Sequence, residues 1–152
     1  MKAVTWLASF TVSVASLAAP AFANTLEGWS TDLDKALADA KAGKKSVLVE
    51  FTGSDWCPPC IAMRKNVFST KEFVQAASKN FILVELDFPK ADKALSEKNK
   101  PLAEKYKIEG FPTVILLNSE GKEFNRFFAS EFPKTEDFLK HLDESLEKKD
   151  MD

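Results

Sequence analysis

The sequence predicts an α/β domain: a central mixed sheet flanked by helices, with one extra helix on the N-terminal side. Three observations carry this. Apolar runs of strand length, at 46–52, 81–88 and 114–117, alternate with segments of helical period. The last run is followed by a turn, Asn118-Ser119-Glu120-Gly121-Lys122, and a returning strand. That hairpin adds an antiparallel edge to a sheet otherwise expected to be mostly parallel. The chain has 152 residues, 45% of them hydrophobic and 13 of them Phe, enough for the core of one domain.

Residues 1–23 read as an export signal. Lys2 supplies a positive start, 3–19 carry no charge, Pro20 breaks the run, and Ala21-Phe22-Ala23 fits the small-x-small cleavage rule. The mature domain is expected to be 24–152. Asn24 is not a Cys, so nothing there suggests a lipid-modified terminus. After a short leader, 24–29, Ser30-Thr31 opens a helix with Asp34 as capping-box partner of Thr31. Leu33, Leu37 and Ala40 recur at helical spacing, and Gly43 ends it. Residues 46–52 (SVLVEFT) form a buried strand, and Gly53-Ser54-Asp55 turns into a helix opened by Cys57 and Cys60.

Ser69 with Glu72 caps the next helix, which carries Phe73, Val74 and Ala77. Strand 81–88 follows. The Lys-rich stretch 90–107 is a solvated helix anchored by Leu95, Leu102 and Tyr106 and interrupted by Pro101. Gly110-Phe111-Pro112-Thr113 leads into strand 114–117, the hairpin turns, and 123–128 returns. Phe127 and Phe128 must point to opposite faces of that strand, which exposes one of them. A last amphipathic helix, 134–149, aligns Phe138, Leu139, Leu142 and Leu146 on one stripe, and the tail 148–152 is solvated.

The formal charge is -2, with acidic and basic residues interspersed. There is no basic patch with interleaved aromatics, so nucleic acid is not an expected partner. Past residue 23 no apolar run reaches the ~20 residues of a membrane span. An exported chain meets an oxidising compartment, where a thiol pair is oxidised unless something reduces it.

The two cysteines, Cys57 and Cys60, follow Trp56 directly and enclose Pro58-Pro59. A disulfide between them closes a loop too small to restrict the unfolded chain much. A zinc site needs four ligands, and the single histidine, His141, sits in the last helix, so only Cu(I) would suit two thiolates. No metal or other cofactor is expected. At a helix start the pair suits reversible chemistry instead. The first sulfur is exposed and the second turned inward, and helix N–H groups favour the first thiolate. Cys57 then attacks, a mixed disulfide forms, and Cys60 resolves it. Neither proline has an N–H to offer the thiolate, and no His lies between the cysteines. Both facts favour the disulfide and a reducing couple. Reducing and oxidising extremes of this chemistry differ by about 150 mV, or roughly 7 kcal/mol.

Val47–Phe51, Trp56-Cys57-x-x-Cys60 and Gly110-Phe111-Pro112-Thr113, the last two about fifty residues apart, together resemble the thioredoxin fold. The approach Phe51-Thr52-Gly53-Ser54-Asp55-Trp56-Cys57 is similar to exported thioredoxin-like proteins, and the likeness covers roughly 30–148. The resemblance implies a cis Phe111–Pro112 bond. Pro112 would leave the adjoining backbone to pair with an extended substrate strand, and Phe111 either lines that groove or fills the core. Trp56 would pack over the loop and shield Cys57. Glu50 matches the family's buried acid, the proton acceptor for the inner cysteine, although it is Glu where Asp is usual and lies one position further from the pair. Its other reading is a strand Glu at the sheet margin. Asp55 is either a solvated turn residue or a modulator of the thiolate.

The expected function is that of an exported, periplasmic thiol-disulfide oxidoreductase. It exchanges the Cys57–Cys60 disulfide with protein thiols, on the reducing side, as a monomer fed by a membrane disulfide-relay reductant. The alternatives are a thiol oxidase and a non-enzymatic module that binds Cu(I) or protein on the same fold.

Overall fold

Strand β1 (Ser46–Thr52) is buried at every position, which explains why its sequence shows no polar alternation. The computed structural model describes residues 25–151, so the expected signal at 1–23 and its cleavage site lie outside the described residues. β1 is central. It pairs in parallel with β2 (Phe81–Asp87) and antiparallel with β3 (Thr113–Leu117), and β3 pairs antiparallel with β4 (Glu123–Phe128), giving the order β2-β1-β3-β4.

The sheet is mixed, but not mostly parallel: one of its three pairings is parallel. The reason lies in the connection from β2 to β3. It leaves the sheet beside Thr52, which pairs with Asp87, and re-enters beside Phe51, which pairs with Thr113. Both ends sit on one rim, so β3 runs back. An alternating order of strands and helices does not distinguish this return from a crossover to the far end.

Alternate β1 residues feed two cores. Val47, Val49 and Phe51 pack with Leu33, Ala36 and Ala40 of α1 (Leu33–Gly43), and Leu102 and Ala103 of α4 (Lys93–Lys105) lie against the same cluster. Leu48 faces the other way, onto α2 (Pro58–Met63), a turn of π-helix (Arg64–Phe68), α3 (Lys71–Ala77) and α5 (Thr135–Met151). Phe138 of α5 is the hub of that second core, with ring centroids 5.3 Å from Phe68, 5.4 Å from Phe73 and 5.5 Å from Phe127. Phe127 turns inward and Phe128 outward, as strand alternation requires.

Two helix starts differ from the expected ones. α1 begins after Asp32, whose carboxylate accepts the Lys35 N–H at 2.9 Å. Ser30 is drawn instead into a parallel bridge on the outer edge of β2, donating to Leu83 O at 2.8 Å and accepting from Glu85 N at 2.9 Å. α3 is capped by Thr70, which accepts from Phe73 N at 3.2 Å, while Ser69 bonds back to Lys65 O. α4 also continues through Pro101 without interruption. Pro101 is exposed, as is Glu97, the residue whose usual helical N–H donor the proline removes. Among the described residues no helix is long and apolar enough to cross a membrane.

Candidate active site

The rim that receives both ends of the β2–β3 connection also launches the cysteine loop. Gly53-Ser54-Asp55-Trp56 leaves β1 there, and Cys57 takes an extended conformation as the N-cap of α2. Cys57 and Cys60 form a disulfide, with Cα atoms 5.2 Å apart. Cys60 is fully buried and Cys57 is only 4% exposed. The expectation of an exposed first cysteine therefore does not hold in this disulfide state: the bond ties the Cys57 sulfur to its inward-facing partner. The backbone N–H of Gly53 donates to Cys60 Sγ at 3.5 Å, and Cys57 N donates to Gly53 O at 3.0 Å. Trp56 and Ile61 flank the pair, 38% and 45% exposed.

The loop is clamped to the end of β2 and the segment after it. Asp87 accepts from Ser54 N at 2.9 Å and from the Ser54 hydroxyl at 2.5 Å. The Asp55 carboxylate accepts from Lys90 N at 2.9 Å and Ala91 N at 2.8 Å. The bond from Lys90, then that from Ala91, holds the Asp55 carboxyl below its ordinary range. Trp56 Nε1 donates to Phe88 O at 2.8 Å. Asp55 is thus the exposed turn residue expected, with its carboxylate engaged by two backbone N–H groups. Sequence reasoning missed the clamp, because its acceptors and donors sit more than thirty positions away.

The Phe111–Pro112 peptide bond is cis. Pro112 is buried and its carbonyl accepts from Ala129 N at 2.9 Å. Phe111 is half-buried. It meets the Trp56 ring edge-on, centroids 5.9 Å apart, and stacks on Phe88 at 5.1 Å. It packs against the core cluster and borders the cysteine loop. Beyond it, Gly110 approaches the exposed ring of Phe128 beside a groove of about 510 Å³ lined by Lys107, Glu109, Arg126 and Glu131.

Glu50 is 1% exposed and lies on the central strand, not at the sheet margin. By alternation it shares the face of Leu48, toward α2. Its Oε1 has no hydrogen-bond partner. Burial, and next the charge of Glu85, raise its pKa well above the carboxylate range, against the pull of Arg64 and a bond from Thr52. Glu85 stands beside it in the parallel register and accepts from Arg64 Nη1 at 2.6 Å. Burial raises the Glu85 carboxyl as well, and Arg64 opposes it. His141 is remote, stacked on Phe132 at 4.1 Å. Among the described residues no group of three or more His, Cys, Asp or Glu side chains is arranged to hold a metal ion.

A family profile described as thioredoxin-like matches residues 28–119. The disulfide bond reductase DsbH of Chlamydia pneumoniae is 37% identical over 95 residues, covering 60% of this chain and 57% of that protein. The thiol:disulfide interchange protein DsbD of Vibrio cholerae serotype O1 is 32% identical over 112 residues, covering 74% of this chain and 18% of that protein. The chain thus spans little more than half of the first relative and under a fifth of the second. A solved structure of a DsbH oxidoreductase superposes with a TM-score of 0.70 at 28% identity, covering 90% of this chain and 95% of that one.

Proposed function

The chain belongs to the thioredoxin-like family, and from that premise we propose that it is an exported thiol-disulfide oxidoreductase on the reducing side. The observation that carries this reading is the Cys57–Cys60 disulfide at the strand rim, with Cys60 buried beneath it and Gly53 N–H aimed at its sulfur. In the reduced protein the Cys57 thiolate attacks a partner disulfide. Cys60 then attacks Cys57 Sγ, the partner thiol leaves, and the internal disulfide closes. Trp56, Phe111 and Pro112 border the partner, which lies extended beside the cis-proline turn. Glu50 takes the proton of Cys60 as that sulfur attacks; its burial and orphaned oxygen support the assignment.

Residues 1–23 act as the export signal and 24–152 as the working domain, in the periplasm. The partners are protein thiols and disulfides, and a membrane disulfide relay returns the electrons to a monomer. The reducing direction rests on Pro58 and Pro59, which offer no N–H to the thiolate, and on the reductase named among the relatives.

Insulin-disulfide reduction tests the activity: turnover is expected in the parent chain and absent in Cys57→Ser. Cys60→Ser is expected to trap mixed disulfides, whose masses identify the partners. Wild-type turnover in Cys57→Ser, or none in the parent, sinks the enzyme reading. Equilibration with glutathione tests the direction: a potential near about -120 mV overturns the reductant in favour of an oxidase.

A further inference from the structure

We propose that Arg64 and Glu85 are positioning residues for the thiol–disulfide step: their ion pair holds the nearby cation off Glu50, so Glu50 keeps the proton that Cys60 needs. This rests on the reading of Glu50 given above and extends it to the closed disulfide and to two residues without an assigned role.

Four features of the geometry support it. Glu50 and Glu85 are register partners in a parallel pair, so their side chains leave the sheet on the same face. Arg64 lies four residues after Cys60 on a helical path, which aligns the two along one side. Its guanidinium is bound to Glu85 at 2.6 Å, with side-chain exposures of 18% and 5%. Glu50 Oε1, by contrast, is buried with no partner. Two buried carboxyls therefore sit beside one cation, and the cation is bound to Glu85. Among the described residues, the other groups acting on Glu50 do not supply another cation. Asp87 on β2 is acidic and bound to Ser54, β3 presents Val114 opposite Glu50, and Thr52 on the same strand carries a hydroxyl. A carboxyl so placed stays protonated far more readily than one in water.

That state matters in the disulfide form. When a donor thiolate attacks Cys57 Sγ, the Cys57–Cys60 bond breaks and a donor–Cys57 disulfide forms. The electron pair departs on Cys60 Sγ, deep in the protein. Glu50 gives its proton to that sulfur and becomes a carboxylate. In the reverse direction the carboxylate takes the proton back as Cys60 attacks the mixed disulfide and the donor thiolate leaves. One group serves both directions, as microscopic reversibility requires.

The test uses the full chain in its disulfide form. The carbonyl band of a protonated buried carboxyl is followed by infrared spectroscopy against pH and assigned with Glu50→Gln. The rate of disulfide opening by dithiothreitol is measured in parallel, per reagent thiolate. Wild type is expected to hold the band at neutral pH, and Glu50→Gln to lose both the band and the pH step in the rate. Glu85→Gln removes the neighbouring negative charge and the carboxylate that pairs with Arg64, so band and rate profile move to lower pH by about one unit or more. Arg64→Gln moves both the other way. Simple structural damage would slow opening at every pH without shifting either midpoint. If Arg64→Gln does not fold, Glu85→Gln decides alone, because the amide keeps the shape. Unshifted midpoints in these variants, with the step still lost in Glu50→Gln, overturn the role of the ion pair and leave Glu50 standing. A pH step that survives in Glu50→Gln sinks the Glu50 assignment and this inference together.

Discussion

The indole N–H of Trp56 donates to the Phe88 carbonyl at 2.8 Å, so the residue before Cys57 is fastened to the segment after β2. Phe88 in turn stacks on Phe111 at 5.1 Å, next to the cis proline. One hydrogen bond and one stack thereby join the three segments around the disulfide.

Gly53 makes room for that arrangement. A Cβ at this position would lie 2.5 Å from the Trp56 ring, which is rigid and bonded in place. Gly53→Ala is expected to displace the indole, cost about 1–3 kcal/mol in denaturant unfolding, and alter the Trp fluorescence change that accompanies disulfide reduction. An unchanged fluorescence response would mean that the ring does not depend on the glycine.

Asp55→Ala removes the acceptor for Lys90 N and Ala91 N. Hydrogen exchange at those two amides is expected to accelerate. Because the folded carboxyl is held below its ordinary range, its contribution is full above the unfolded value near about pH 4. It fades as pH falls through the lower folded value. The stability gap between wild type and Asp55→Ala should therefore close in acid; a gap independent of pH would contradict this.

Phe138 is fully buried among Phe68, Phe73, Phe127 and Phe132. Phe138→Ala is expected to cost about 3–5 kcal/mol, lost transfer energy together with a cavity rigid rings fill poorly. Urea unfolding measures it, and a cost below about 1 kcal/mol would mean that α5 recloses over the gap.

His141 lies between Phe132 and Phe127, and burial lowers its pKa from 6.5; Glu144 and Glu131 oppose the shift and Lys148 assists it. The unfolded chain therefore takes up this proton first as pH falls. Stability is full above the ordinary value and declines below it. Urea midpoints at about pH 7.5 and about pH 5 should differ, and His141→Phe should reduce the difference. An equal slope in His141→Phe would assign the acid sensitivity to other groups.

Much of this was legible in the order of residues. The apolar runs located three strands, the hairpin residues Asn118–Lys122 located the turn and the fourth strand that returns from it, and the Cys-x-x-Cys spacing located the site. What was not legible depends on distant partners. Ser30-Thr31 reads as the start of α1, but Ser30 is bridged to β2 and the cap falls on Asp32. The direction of β3 depends on where a connection ends, which composition does not record. Asp55 is the exposed turn residue expected, but its donors, at 90 and 91, are fixed only by folding. Arg64 reads as one charge on a helix until the β1–β2 register brings Glu85 beside Glu50.

The π-turn Arg64–Phe68 carries a last consequence. Each residue advances an α-helix by about 100°, and this wide turn follows the Cys60 helix and itself carries the core residues Val67 and Phe68. It therefore sets the rotational phase of the cysteines against the helix end anchored in the core. Deleting one residue here would leave every strand and both cysteines in the sequence, yet swing the pair by roughly a quarter turn relative to the rim of β1. The redox geometry is held in a residue count as well as in residue identities, and single deletions in this stretch would probe it in a way substitutions do not.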